Sequence, residues 1–361
     1  MKPAPLVTVL TATYNGSRYL ADTIESVLRQ SFTDFEYLIV DNASTDDSRQ
    51  IADAYAARDA RIRVIASTVN HGPAGGLNLA IQTARGKYLA NLDHDDLAAP
   101  HRLAVQVAVL EANPDLGFVG GWMCVIDENG SPLYTYTRRV THGEIHWHLM
   151  THCALAHSTT TMRRDLIVAA GGYSADHRLI CDYELFSRLR DRTHFQNIPD
   201  NLADYRSFSQ QASQRDRIAQ HLQVLLLRRA IFQEVSGKDL PLESWHNFYR
   251  ALDGELLADA NALFDGAAVA ETLAVHYLAR YTPGAELTAI VWRDTAIRLL
   301  AMAQRHRRQL PQPARELYQR AMAIDPALWQ HPETRKELRI NHRTRSASVP
   351  TGPSIALPPN H

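Results

Sequence analysis

Asp93-His94-Asp95-Asp96 is the stretch of this chain best equipped for chemistry. It follows an apolar run, Tyr88-Leu89-Ala90-Asn91-Leu92, that reads as a buried strand. Carboxylates leaving such a strand stand at the carboxyl edge of a sheet, where open α/β sheets bind ligands. Asp93 and Asp95 are two apart, so a short turn aims both at one point. Two hard oxygen donors suit Mg2+ or Mn2+, ions that commonly grip a substrate diphosphate as well. Asp96 reads as a loop-orienting or helix-capping residue, and His94 as part of the loop. Two further polar clusters end strand-like runs, Thr13-Tyr14-Asn15 and Asp41-Asn42-Ala43-Ser44. Parallel strands put all their carboxyl ends on one side, so the three loops can line one crevice.

The elements that must position these loops alternate in type. Residues 6–11 form a strand pattern, and Leu20, Ile24, Val27 and Leu28 share a helical face with Ser17 as its cap. A second strand covers 35–40, and a second helix starts from the capping-box-like Ser44-Thr45-Asp46-Asp47. Residues 63–66 form a short strand, and 72–76 a loop leading into a helix through Leu77, Ala80, Ile81 and Ala84. That loop lacks the Gly-Lys-Ser/Thr of a P-loop and the spacing of a dinucleotide fingerprint. Leu103, Val107 and Leu110 suggest a helix after Pro100; 118–126 is a strand, bent at its glycines, and Glu128-Asn129-Gly130 a turn. Strands alternating with helices predict an α/β fold, a mainly parallel twisted sheet with helices on both faces. Beyond about 215 the texture changes to long helical patterns rich in Ala, Leu, Arg and Gln.

Length and composition narrow the function. The 361 residues allow two domains. A net charge of −1 gives no basic face for nucleic acid. Cys124, Cys153 and Cys181 are too few and too dispersed for a disulfide framework, which fits a reducing cytosol. No run of about 18 apolar residues predicts a membrane span, and the N-terminus has no secretory pattern. A cytoplasmic location is expected, with peripheral contact at the inner face of a membrane left open. His142, His146, His148, His152 and His157 match no standard zinc spacing.

Residues 6–213 resemble a family 2 glycosyltransferase of the GT-A fold. The resemblance runs through 7–15, 26–32 and 40–46, then Asn70-His71-Gly72-Pro73-Ala74 with Asn78, and Leu92-Asp93-His94-Asp95-Asp96. It continues through His157-Ser158, Gly171-Gly172-Tyr173, Asp182-Tyr183-Glu184-Leu185 and Tyr205-Arg206. It implies a GT-A-like domain over 1–215, a helical region over 216–342 and a tail over 343–361 whose composition reads as disordered. Within the helical region, 314–326 resembles one helix of a tetratricopeptide repeat, which needs stacked neighbours to make an array.

The resemblance implies inverting transfer of a sugar from a nucleotide diphosphate donor to a glycan, lipid-linked or protein acceptor hydroxyl, in surface polysaccharide or glycan assembly. Carried over by position, Thr13, Tyr14, Asn15, Asp41 and Asn42 line the nucleotide site. Asp93 lies near ribose and metal, and Asp95 ligates Mn2+ or Mg2+. Asp182 is the base that takes the acceptor proton. His157 shapes the acceptor side, and Arg206 either binds diphosphate or forms a structural ion pair. Three departures stand out. Asn42 replaces a frequent acid; its oxygen could still accept the uracil imide N–H, without charge assistance, so a UDP-sugar stays the first choice over GDP- or dTDP-sugars. Cys181 replaces a frequent Glu, and Phe208 a frequent His. The C-terminal helices are expected to serve a protein or membrane partner.

Two rival readings remain. A nucleotidyltransferase also uses Asp-bound Mg2+, but wants a Gly-rich basic loop after the first strand, which Thr13 to Arg18 match poorly. A non-catalytic nucleotide-sugar-binding scaffold is favoured by Cys181 and Phe208 alone, and predicts that Asp182→Asn changes nothing.

Overall fold

The computed structural model describes residues 3–208, 216–253, 255–331 and 334. The expectation for 343–361 lies outside the described residues. The chain divides into two compact units, Met1–Ile231 and Phe232–His361.

The first unit is built on one sheet. In chain order its strands are β1 (Val7–Thr13), β2 (Phe35–Asn42), β3 (Ile62–Ser67), β4 (Tyr88–Asn91), β5 (Leu97–Ala98), β6 (Leu116–Ile126), β7 (Pro132–Tyr136), β8 (Thr161–Arg163) and β9 (His194–Arg206). Their spatial order is β3-β2-β1-β4-β8-β6-β9-β5, with β7 paired to β6. The half β3-β2-β1-β4 is parallel. The sheet as a whole is mixed, because β8 runs antiparallel to both β4 and β6, and β5 antiparallel to β9.

Alternation along β1 and β2 decides what each face buries. Val7, Val9, Tyr37 and Ile39 point to one side, packing with Leu20, Ile24 and Val27 of helix α1 (Leu20–Leu28) and Leu103, Val107 and Leu110 of α4 (Arg102–Ala112). Leu10, Leu38 and Val40 point to the other, against Leu77, Ala80 and Ile81 of α3 (Gly72–Thr83) and Leu185 and Phe186 of α7 (Cys181–Leu189). Period two in the strands meets period 3.6 in the helices on both sides. Burial of each such Leu or Ile stabilises by about 1.5–3 kcal/mol. β2 is buried along its whole length, Glu36 included. That carboxylate is kept charged in the core by Arg63, Arg85 and the Thr8 hydroxyl.

Local chemistry moves several helix starts. Ser17 does not cap α1, which begins after the turn at Tyr19; the Ser17 N–H donates to Asp46 Oδ2 at 3.0 Å instead. Residues 44–47 form no capping box. Helix α2 (Ser48–Ala56) follows them, and Asp46 accepts from the Ser48 N–H and hydroxyl. The 72–76 segment is already the first turn of α3, where Pro73 lacks an N–H that no helix bond would use.

In the second unit, helices Leu242–Asp253, Ala260–Tyr281, Ala285–His306 and Pro311–Ile324 follow one another, the long helix Arg217–Ser236 leading into it. Trp245, Phe248, Leu273, Tyr277 and Leu300 are buried. Helix Pro311–Ile324, which covers the repeat-like stretch, buries Ala314, Leu317 and Ala321 at three- and four-residue steps. Among the described residues no helix is long and apolar enough to cross a membrane.

Candidate functional site

The three polar clusters leave one edge of the parallel half. Thr13 stands opposite Asp41 in the β1–β2 register, and Leu10 opposite Asn91 in β1–β4. The first loop is tied to the second by Asn15. Its side-chain oxygen accepts from the Thr45 N–H at 2.8 Å, and its own N–H donates to the Ser44 hydroxyl. Asn15 holds φ at 54°, a left-handed conformation that Asn tolerates better than most residues. The Gly16 N–H donates to Ser48 Oγ at 2.9 Å. A Cβ at Gly16 would lie 2.4 Å from the His94 ring and 2.6 Å from the Thr13 hydroxyl, so the aspartate loop docks directly on this glycine. Tyr14 is exposed, whereas Thr13, Asp41 and Asn42 are buried.

Asn42 is committed to its neighbours. Its amide donates to Asn70 Oδ1 and to the Gly72 carbonyl, and its oxygen accepts from the His71 N–H at 2.9 Å. It therefore holds the entry to α3. Asp41 accepts from the Ser44 N–H.

The aspartate loop is supported from below. The Thr23 hydroxyl of α1 lies 2.8 Å from the Asp96 carbonyl and 2.9 Å from that of His94. Asp96 is fully buried and accepts the Arg206 N–H at 2.9 Å. Burial, then the charges of Asp95 and Asp93, push its carboxyl well above the usual range. Asp93 differs. Burial pulls it up, but the charge and hydrogen bond of His157 outweigh that and hold it below its ordinary value. Asp95 is partly exposed. Beneath them lies Arg102, 1% exposed, donating to the carbonyls of Asn91 and Thr160 and to Gln106. Burial lowers it to about 9, against the opposing pull of Asp96 and Asp93.

Arg206 holds the loop from the side. Its Nε donates to the Asp95 carbonyl at 3.0 Å and its Nη1 to the Glu128 carbonyl at 3.2 Å, and its guanidinium sits 4.3 Å over the Tyr19 ring. Phe208 packs on the same ring at 5.3 Å. Arg206 Nη2 lies 3.7 Å from Asp22 Oδ2, an ion pair of the kind the sequence offered as one of its two roles.

His157 joins both sides of the site. Its Nδ1 lies 3.1 Å from Asp93 Oδ1, and its Nε2 lies 3.1 Å from both Asn91 Nδ2 and the Tyr173 hydroxyl. Asn91 donates to that hydroxyl at 2.5 Å. Burial lowers His157, but Asp93 prevails and raises it; the Asp182 charge adds to the rise. His157 thus faces Asp93 directly and lies within electrostatic reach of Asp182. Tyr173 and Asn91 were not singled out as site residues. Gly171-Gly172-Tyr173 carried the signal: both glycines are left-handed, at φ 80° and 75°. The turn they make lets Asn78 bond both backbone groups of Tyr173 and aim its hydroxyl at His157.

Asp182 sits in the first turn of α7, where the helix dipole favours a carboxylate. The Cys153 thiol points at its Oδ2 at 3.7 Å. Burial and the Asp182 charge push that thiol well above its usual value, so it stays protonated and can donate. Burial and Asp182 likewise raise Cys181, which makes it a packing thiol rather than a nucleophile. The other histidines lie elsewhere. His142 rings with His194 and His146, and His146 pairs with Asp191.

Among the described residues no three His, Cys, Asp or Glu side chains are grouped to hold a metal ion. Asp93 and Asp95 could supply two oxygen ligands. That donor set fits Mg2+ or Mn2+ shared with a bound phosphate and does not fit an all-protein cage.

A sequence profile described as "Glycosyl transferase family 2" matches residues 8–215. The putative glycosyltransferase EpsE of Bacillus subtilis is 43% identical over 131 residues, 36% of this chain and 47% of that protein. The putative teichuronic acid biosynthesis glycosyltransferase TuaG of the same organism is 38% identical over 130 residues, 36% of this chain and 51% of that one. The chain thus spans about half the length of these curated relatives. The mannosyltransferase PcManGT from Pyrobaculum calidifontis, solved with GDP-Man and Mn2+, superposes with a TM-score of 0.52 over 96% of this chain and 86% of that one, at 17% identity. It shares the GT-A-like fold.

Proposed function

The chain belongs to glycosyltransferase family 2, and we propose that it moves a sugar from a nucleoside diphosphate donor to an acceptor hydroxyl with inversion. The observation that carries this reading is one half-buried histidine, His157, hydrogen-bonded to Asp93 and within the field of Asp182. Two carboxylate stations with separate duties on one crevice are what such a transfer needs.

In the proposed reaction Asp182 accepts the proton of the acceptor hydroxyl as its oxygen attacks the anomeric carbon. The new C–O bond forms on the face opposite the departing phosphate oxygen, and the nucleoside diphosphate leaves with the bonding pair. Asp93 and Asp95 would hold Mg2+ or Mn2+ against the diphosphate, where a bound ion supplies neutralisation of the charge that builds on the leaving group. Thr13, Tyr14 and Asp41 would receive the base, with Asn15 fixing their loop. Because Asn42 is engaged with residues 70–72, the Asp41 carboxylate is the group we assign to the imide N–H of a uracil. A UDP-sugar therefore remains the first choice. The name of TuaG, a putative teichuronic acid biosynthesis glycosyltransferase, supports a setting in polysaccharide assembly; to this we add, as our own reading, a cytoplasmic location and a protein or membrane partner for the C-terminal helices.

Calorimetric binding of UDP, GDP and dTDP, with and without Mn2+, to wild type and Asp95→Ala tests the donor half. We expect Mn2+-dependent binding of UDP that the variant loses. Failure of every diphosphate to bind would overturn the reading.

A further inference from the structure

Strand β7 is anomalous for a globular domain. All five of its residues are exposed, and Leu133, Tyr134 and Tyr136 leave large apolar side chains in solvent. Among the described residues it pairs only with β6, so it is an edge strand, usually protected by charge or by brevity. Tyr134 and Tyr136 stand opposite Val125 and Met123 and share one face, and Leu133 is the extra residue of a bulge between Pro132 and Tyr134.

Its two ends are anchored at the two halves of the site. The turn before it holds Glu128, whose carbonyl accepts from Arg206, the residue that clamps the Asp95 backbone. Beyond its far end comes Arg138, whose guanidinium lies 4.3 Å over the Tyr136 ring. Arg138 Nη1 donates to the Cys153 carbonyl at 2.9 Å, and the Cys153 thiol points at Asp182. The Trp122 indole N–H donates to the Arg138 carbonyl and fixes that corner. Strand β7 therefore runs from the turn that Arg206 ties to the aspartate loop to the corner where Arg138, packed on Tyr136, meets Cys153.

We infer that Tyr134 and Tyr136 form an acceptor subsite that takes a carbohydrate chain by ring stacking. The inference rests on the glycosyltransferase reading above. Rings two residues apart on a strand are separated by roughly 6.5–7 Å, a step comparable with a pyranose unit in a chain. A pyranose presents C–H groups on its faces and hydroxyls at its rim. A tyrosine offers the matching combination, an apolar ring with a polar tip. Arg138 keeps the Tyr136 ring in place from one side and leaves its hydroxyl end for solvent or sugar. A chain laid along this face would bring its growing end to Asp182.

The test uses the full chain and three probes, maltohexaose, cellohexaose and chitohexaose, with UDP plus Mn2+ as the donor-side control. Tyr134→Thr and Tyr136→Thr keep strand propensity while removing the rings. Leu133→Thr makes the same change at the bulged residue beside them. We expect at least one hexasaccharide to bind wild type, to weaken by ten-fold or more in each tyrosine variant, and to bind Leu133→Thr as before, with UDP binding unchanged in all. Equal loss in Leu133→Thr would mean a generic apolar contact, and a change of oligomeric state in the tyrosine variants would mean a second copy; either overturns the subsite. So does a wild type that binds UDP but none of the hexasaccharides, which leaves the glycosyltransferase reading standing. A wild type that binds no nucleotide overturns both.

Discussion

The edge we assign to the donor and the edge we assign to the acceptor are assembled in different ways. The donor edge consists of loops that follow three neighbouring parallel strands, each loop cross-tied to the next by several side chains: Asn15 to Thr45, Asp46 to Ser17, Asn42 to residues 70–72. The acceptor edge collects Arg138, Cys153, His157, Tyr173 and Asp182 from loops and a helix start, joined one to another by single contacts. A dense cross-tied edge suits a ligand of constant shape, such as a nucleoside diphosphate. A sparse one, carried by a helix start and an exposed hairpin, can change its ligand by changing single side chains. Binding and catalysis should then respond separately to substitutions on the two edges.

The sharpest separation is expected at Asp182. Asp182→Asn keeps the size of the side chain and removes only its proton affinity. Turnover should fall by about 10²- to 10⁴-fold, measured as nucleoside diphosphate release in the presence of acceptor, while calorimetric UDP binding stays within two-fold. Loss of UDP binding in this variant would mean that the two edges are one unit.

Arg206→Lys attacks the other edge. A single ammonium cannot serve the Asp95 and Glu128 carbonyls together as the guanidinium fork does. We expect a loss of about 2–3 kcal/mol in stability from the unpaired buried groups, and Mn2+-dependent UDP affinity about ten-fold weaker or more. Denaturant titration and calorimetry read the two effects.

These two residues also mark where the sequence is informative and where it is not. The aspartate loop was legible because a short apolar strand pattern ends in carboxylates, and strand-helix alternation then places it at a sheet edge. Asp182 was legible only through the family resemblance, since an acid in a first helical turn is common. Arg206 was visible as a residue but not as a clamp. Its role depends on β9 ending beside β6 and on the turn at Glu128, pairings that no local pattern announces. Asn42 shows the same limit, because its partners at 70–72 come from the far side of α2 and β3. The exposed tyrosines of β7 lie in a stretch for which the sequence reading names no element.

Tyr173→Phe probes the seam between the edges. It removes one hydroxyl, leaving His157 Nε2 with Asn91 alone. Loss of a buried hydrogen bond of about 1–2 kcal/mol predicts a fall in kcat/KM of about 5- to 30-fold. The drop should lie in kcat with UDP affinity nearly unchanged, because Asp93 keeps its backbone bond to Ser158. A fall in UDP affinity matching the fall in kcat would place His157 wholly on the donor side.

The smallest effect is a pH dependence confined to the donor edge. Asp46 is lowered to about 2: burial raises it, but the hydrogen bonds from Ser48 and Ser17 outweigh burial. A carboxyl whose folded value lies below its unfolded one stabilises the protein at pH values above the unfolded value, and that contribution disappears as pH falls through the folded one. The window therefore runs from about pH 4 down to about pH 2. Because Asp46 is near the surface, screening reduces the contribution to on the order of 1 kcal/mol. Wild type should be more stable than Asp46→Asn by that amount at pH 7, with the gap closing toward pH 2 in denaturant titrations. Asp46 ties only the first loop to the second, so UDP affinity at pH 7 should weaken slightly in the variant while hexasaccharide binding on β7 does not move. Parallel weakening of both would show that the donor loops and the hairpin respond as one body, and the contrast between the edges would fail.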